Sequence, residues 1–299
     1  MNIGSVVQLD RISDFGSEGW GFESSLGHKI ILLICICFFS FSHSQSIIEK
    51  VKLSKIISET SGLEYHNDLL VTHNDSGNDP SLYYLDYSGK IIYTRKFDGI
   101  KNNDWEDLTA DENYIYIADI GNNFDTRKNL MITKVSKDIN DENFEIINFY
   151  YPEQSDFNFK LKSEFDAEAI INMDEFLFIF TKNREKKNTD IYRVPKKAGS
   201  YAAKKIGSLN TNSIVTGGDY EKDLNLLVLT STIGFENYFL LKIENFDLKF
   251  NNNQINMYEI PVGKTQIEAV KIIDSFSFWL STENEKNGYP FIYKFSLKD

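Results

Sequence analysis

The feature that most restricts this chain is a unit of about fifty residues that recurs five times along residues 45–299. Each copy opens on a short polar-then-apolar stretch: Thr60-Ser61-Gly62-Leu63, Trp105-Glu106-Asp107-Leu108, Ala167-Glu168-Ala169-Ile170, Val215-Thr216-Gly217-Gly218 and Ile267-Glu268-Ala269-Val270. A turn rich in Asp, Asn or Glu follows, and then a strongly apolar strand at residues 69–72, 114–118, 176–180, 224–229 and 276–280. Third strands are expected at 82–86, 130–134, 190–194, 238–243 and 291–295, and fourth strands at 90–97, 144–151, 201–209 and 254–260. The fifth unit lacks a fourth strand, while residues 47–55 are strand-like and belong to no unit. Pairing the two closes a ring and leaves no long unpaired edge. The expected fold is therefore all-β, a five-bladed β-propeller closed by its N-terminal strand. The longer gap between Glu106 and Glu168 keeps six blades as an alternative. A two-domain β-sandwich is the other, and it is disfavoured because no linker-like stretch interrupts the repeat. The 23 Phe and 16 Tyr suit strands, where aromatic rings pack well on a pleated surface.

Three segments are expected. Residues 30–41 form an apolar run behind Lys29 and before Ser42-His43-Ser44-Gln45, the pattern of a secretory leader (29–44) cut after Ser44. Residues 4–29 resemble the translation of a bacterial transfer-RNA gene, and residues 1–28 read as a spurious extension. Residues 45–299 are the propeller, exported to the periplasm or the medium with no stable membrane insertion after processing. Cys35 and Cys37 both lie in the apolar run, so the processed chain has no disulfide, reactive thiol or cysteine metal site. The net charge is −12, and 40 acidic against 30 basic residues follow position 44. That balance excludes nucleic acid as a partner, since binding it requires a basic stripe. Residues 184–187 and 196–197 are basic but short, and read as solvated turns.

In a propeller, equivalent positions of the innermost strands face one channel. Glu106, Glu168 and Glu268 share such a position, with Ser61 and Thr216 in the other two units. Asp104 and Asp166 stand two residues earlier on the same strand face, in a row with Gln266 and Glu59. Converging carboxylates raise one another's pKa unless a positive charge compensates. Lys182, Arg127 or a bound Ca²⁺ can supply it, because hard cations take clustered carboxylate oxygens. Glu106, Glu168 and Glu268 are thus candidates both for acid–base catalysis and for metal ligation. The competing structural reading is that such acids cap turns or accept N–H groups from the next blade, beside the small residues Gly62, Ala169, Gly217 and Ala269. His73, next to Asn74 and Asp75, reads as a base, a ligand or a turn histidine satisfied by its neighbours. Trp105 reads as a stacking platform or a wedge between blades. No G-x-S-x-G, H-E-x-x-H or complete EF-hand loop occurs. Gly263-Lys264-Thr265 imitates a P-loop but has Tyr258 in place of the first glycine.

The strings Ser61-Gly62-Leu63, His73-Asn74-Asp75-Ser76-Gly77, Asp104-Trp105-Glu106-Asp107, Asp119-Ile120-Gly121-Asn122-Asn123 with Arg127, Asp166-Ala167-Glu168-Ala169, Thr181-Lys182 and Gln266-Ile267-Glu268-Ala269 resemble exported bacterial propellers of the SdiA-regulated and phytase-like (esterase-like) group. The resemblance implies a propeller fold and export. The calcium-binding acids and basic phosphate ligands of alkaline phytases do not map onto this chain, so phytase activity is not implied. The expected ligand-binding residues are Asp104, Glu106, Asp119, Arg127, Asp166, Glu168, Lys182, Glu268, His73 and Asp75. The expected function is a binding module that holds a small molecule, glycan or peptide over an acidic funnel, with Ca²⁺ as the candidate cofactor. The alternative is a carboxylate-dependent hydrolase of a phosphoester, lactone or glycoside, working through Glu106, Glu168 or Glu268. A scaffold using only the sides of its blades is a third.

Overall fold

A computed structural model describes residues 45–250, 253–283 and 288–298; the expected extension (1–28) and leader (29–44) lie outside the described residues. The chain begins with β1 (Ser46–Lys52) and a short 3-10 turn at Lys55–Ile57. Blade 1 is β2 (Thr60–His66), β3 (Leu69–Asn74), β4 (Ser81–Leu85) and β5 (Ile91–Lys96). Blade 2 is β6 (Trp105–Ala110), β7 (Tyr114–Asp119), β8 (Leu130–Ser136) and β9 (Phe144–Tyr150). Blade 3 comprises β10 (Ala167–Met173), β11 (Phe176–Thr181), β12 (Thr189–Pro195) and, after β13 (Gly199–Ala202), β14 (Lys204–Leu209). Blade 4 holds β15 (Ile214–Glu221), β16 (Leu226–Ile233), β17 (Asn237–Glu244) and β18 (Asn256–Ile260). Blade 5 contributes β19 (Ile267–Asp274), β20 (Ser277–Thr282) and β21 (Phe291–Ser296). No described residue lies in an α-helix.

The sheets form a five-bladed propeller. β2, β6, β10, β15 and β19 are innermost, each lies against the next, and β19 returns to β2. β1 pairs antiparallel with β21, Ser46 opposite Ser296 and Lys52 opposite Phe291, so blade 5 takes its outer strand from the other end of the ring. Six blades and a two-domain sandwich are both ruled out by this closure.

Packing explains why the strands read as nearly continuous apolar runs. Each blade is buried on both faces, so successive side chains enter different cores. In β11, Leu177 and Ile179 join blade 2 in one cluster, while Phe178 and Phe180 join blade 4 in another. One apolar cluster fills each of the five blade-to-blade gaps. Trp105 is fully buried between blades 1 and 2, and so acts as the wedge and not as a platform.

One expected strand is corrected. Residues 201–209 do not form a single fourth strand, because the strand is interrupted at the buried Ala203 and its two parts pair with different blades. The part before it, β13, pairs in parallel with β9 of blade 2, from Gly199 opposite Ile147 to Ala202 opposite Tyr150. Ala203 N–H donates to Tyr150 O at 2.9 Å. Only β14 completes blade 3. The outer edge of blade 2 is thereby covered, which satisfies N–H and C=O groups that an open edge leaves unpaired.

Candidate functional site

The site arises from a defect repeated in the inner strands. Where β6 pairs with β7 the register skips Glu106; β10 skips Glu168, β15 skips Thr216 and β19 skips Glu268. β2 carries a wider irregularity between Ser61 and Glu64. A bulge frees one residue from the ladder and re-aims its side chain. Here three bulges bring Glu106, Glu168 and Glu268 to one mouth of the channel, where they line a cavity of about 250 Å³ with Ser61, Asp75 and Lys182. Thr216 hydrogen-bonds Thr230 Oγ1 at 3.2 Å within its own blade.

Charge at this mouth is poorly balanced. Asp75, Asp104 and Glu106 each offer an oxygen within 4.8 Å of the others, and Glu106, Asp166 and Glu168 form a second such trio. Glu106 is 5 % exposed, and no described residue donates a hydrogen bond to its carboxylate. Burial, and then Glu168, Asp75, Asp104 and Asp166, hold it well above the usual carboxylate range. Glu268 is raised in the same way by burial and Glu168. Burial pushes Glu168 up to about 7 despite the Lys182 ammonium bonded to it. Burial would lower Lys182, but the carboxylates of Glu168, Glu268, Asp166 and Glu106 outweigh it and hold the ammonium above its ordinary value. Asp75 is pushed up to about 6, and Glu283, another lining residue, to about 8, each mainly by burial.

The remaining expected site residues brace this mouth from beneath. Asp119 is buried; its carboxylate accepts Asp104 N–H at 3.1 Å and Asn103 Nδ2 at 2.8 Å, and pairs with Arg127 Nη2 at 2.6 Å. Arg127 Nη1 also donates to Gly121 O at 2.6 Å. Arg127 thus fixes the loop after β7. A Cβ on Gly121 of that loop would overlap the carboxylates of Glu106 and Asp104, so a side chain there would push both aside. Asp166 accepts Asn122 N–H at 2.7 Å and pairs with Arg184 Nη2 at 2.9 Å. His73 is fully buried outside the cavity, edge-on to Trp105, with Nδ1 3.0 Å from Asn74 O; burial lowers it to about 4.

Four lining residues escaped the sequence reading: Asn123, Arg184, Phe235 and Glu283. Asn123, Arg184 and Phe235 stand at no repeated position, but Glu283 does: Asp75, Lys182 and Glu283 directly follow β3, β11 and β20 and donate N–H to Glu59, Asp166 and Gln266 of one row, so periodicity did carry a signal for Glu283. Arg184 also corrects the reading of 184–187 as wholly solvated: Lys186 is exposed, but Arg184 turns inward to Asp166 and Asn123.

The opposite mouth supplies the contrast. Lys271 Nζ lies 2.6 Å from Glu64 Oε1 and 3.0 Å from Asp219 Oδ1, all three buried. Glu64 accepts Ala110 N–H at 3.1 Å, Asp219 accepts Ile272 N–H at 2.8 Å, and Asp107 accepts Ile170 N–H at 3.0 Å. Each of these bonds links neighbouring blades. The structural role foreseen for acids in the inner strands is therefore real, but Glu64, Asp107 and Asp219 perform it.

No family model matches the chain, and no curated protein matches it. Among solved structures it is similar to an exo-β-1,3-galactanase of Phanerochaete chrysosporium, with a TM-score of 0.52, 10 % identity, and 84 % of this chain and 64 % of that one covered. Hydrazine synthase of Kuenenia stuttgartiensis aligns at a TM-score of 0.42 and 13 % identity over 77 % of this chain and 57 % of that one. The Pan2 WD40 domain of Neurospora crassa aligns at 0.43 and 8 % identity over 86 % and 97 %. The chain spans less than two thirds of the length of the first two. At such identities the likeness concerns fold alone, and the chain stands as a five-bladed β-propeller with an acidic cluster at one mouth.

Proposed function

We propose that this chain is an exported binding module that holds a small molecule, glycan or peptide at the acidic mouth of its propeller, with a divalent cation as part of the site. The observation that carries the proposal is the asymmetry between the two mouths. At one, Lys271 and backbone N–H groups answer the acids; at the other, Glu106 has no donor among the described residues and the basic groups lining the cavity are Lys182 and Arg184. Carboxylate oxygens select a hard cation, and Ca–O bonds of roughly 2.3–2.6 Å put oxygens on opposite sides of one ion about 5 Å apart. The trios, within 4.8 Å, fit that span. Glu106 belongs to both, so it is the central ligand of the site. Export rests on the apolar run at 30–41, and the likeness of the sequence motifs to exported SdiA-regulated and phytase-like propellers supports the same placement.

Thermal unfolding in EDTA and in calcium tests this reading. A cation that binds only the folded state at a hundred times its Kd adds about 2.7 kcal/mol, equivalent to roughly 5–10 °C in Tm at this size. Glu106→Gln is expected to lose most of that shift. A wild-type Tm that does not move in millimolar calcium refutes the cation site.

A hydrolase is the second reading, favoured by a buried carboxylate, Glu168, bonded to a buried lysine within a cavity. Oxygens of Glu106 and Glu168 come within 4.8 Å, short of the roughly 6.5–9.5 Å an inverting glycosidase needs and closer to the roughly 5–5.5 Å of a retaining one. Turnover of a phosphoester, lactone and glycoside panel that Glu168→Gln abolishes would establish it; no turnover by wild type removes it.

A further inference from the structure

One residue that lines the acidic cavity, Phe235, is apolar. Phe235 sits in the three-residue turn between β16 and β17, where Gly234 and Phe235 both have positive φ, 70° and 57°. Elsewhere in the described chain, left-handed positions not held by glycine are held mostly by Asn or Asp, such as Asn67, Asn212 and Asn225, whose short side chains tolerate them. Phe250, the other phenylalanine with positive φ, packs on Gly207 and a blade core. Phe235 has no such core among the described residues: it is 53 % exposed and lines the acidic mouth.

The floor opposite is built from acceptors. Glu106, 5 % exposed and without a hydrogen-bond donor among the described residues, is aimed into the cavity. Asp75, Glu268 and Glu283 surround it. The volume, about 250 Å³, is that of about eight waters at roughly 30 Å³ each. A matching ligand is compact, rich in hydroxyl donors, free of anionic groups, and apolar on one face. An aliphatic amine answers the charge but not the spread of acceptors around the wall.

We propose that this mouth recognises a saccharide unit, whose hydroxyls meet the carboxylate floor around Glu106 and the cation held there while one apolar ring face lies on Phe235. The inference rests on the cation-binding reading above and adds the class of ligand to it.

The test is calorimetric titration, in calcium and in EDTA, with a panel of neutral hexoses, pentoses, N-acetylamino sugars and their methyl glycosides, and with aliphatic diamines. Wild type is expected to bind at least one sugar in calcium. Phe235→Gly, which suits the left-handed backbone, should weaken that sugar tenfold or more, keep the calcium-induced rise in Tm, and have an unliganded Tm equal to or above wild type. Phe235→Tyr should bind as wild type does. A calcium shift with a silent sugar panel overturns the saccharide inference and leaves the cation site standing. Sugar binding in EDTA that Phe235→Gly abolishes sustains the saccharide and removes the cation. Diamines binding in place of sugars, or Phe235→Gly binding sugar as tightly as wild type, overturns the inference.

Discussion

Single side chains at the acidic mouth are held in protonation states that the fold, without a cation, imposes. Asp75, Glu168 and Glu283 have folded values near 6, 7 and 8, raised above the carboxylate range by burial. The folded chain therefore binds more protons than the unfolded one across that window. Stability is fully present below the unfolded values, near pH 4, and is lost as pH rises through the folded ones. We expect the Tm in EDTA to fall between about pH 5 and about pH 8.5, and calcium to flatten the fall by taking the place of the protons. A Tm in EDTA that rises over this range would contradict the charge assignment. Lys182→Met extends the test: breaking a buried ion pair costs about 3–5 kcal/mol near pH 8, and less near pH 5, where Glu168 takes up a proton. Urea unfolding at the two pH values reads the difference. Glu106, Glu168 and Glu268 were legible because they recur in register with the repeat. Arg184 and Phe235 were not, since each occurs once and its direction depends on a turn.

Strands and turns set where those side chains point. The strand periodicity was readable because each blade is sandwiched between two others, which forces apolar residues onto both faces of β11, β16 and β20. β13 was not readable: residues 199–202 carry no apolar pattern of their own, and their partner, β9, lies in the preceding blade. The irregularity in β2 depends on Gly62, whose φ is +66° and whose added Cβ would stand 2.8 Å from Leu108 N and 2.9 Å from His73 Nε2. Gly77 has φ +76° but open space around it. Gly77→Ala should therefore cost only the left-handed strain, about 1–2 kcal/mol. Gly62→Ala should cost that plus overpacking of about 1–3 kcal/mol, and should disturb the ladder beside Glu106. Chemical denaturation of the two variants measures the difference; equal losses would show that the blade 1–blade 2 contact at Gly62 is loose.

Closure of the ring depends on one outer strand. β1 completes blade 5 along its full length, and the chain that follows it buries Leu53 and Ile57 in the gap between blades 5 and 1. Without β1 the edge of β21 has unpaired N–H and C=O groups, which recruit other strands. A chain starting at Leu53 should keep its five inner strands, lose several degrees of Tm and self-associate, which sedimentation can follow. A synthetic peptide of residues 45–52 should then restore the monomer and raise the Tm with peptide concentration, because it binds only the folded state. A truncated chain that melts like the full one, stays monomeric and ignores the peptide would mean that the five apolar gaps alone hold the ring closed.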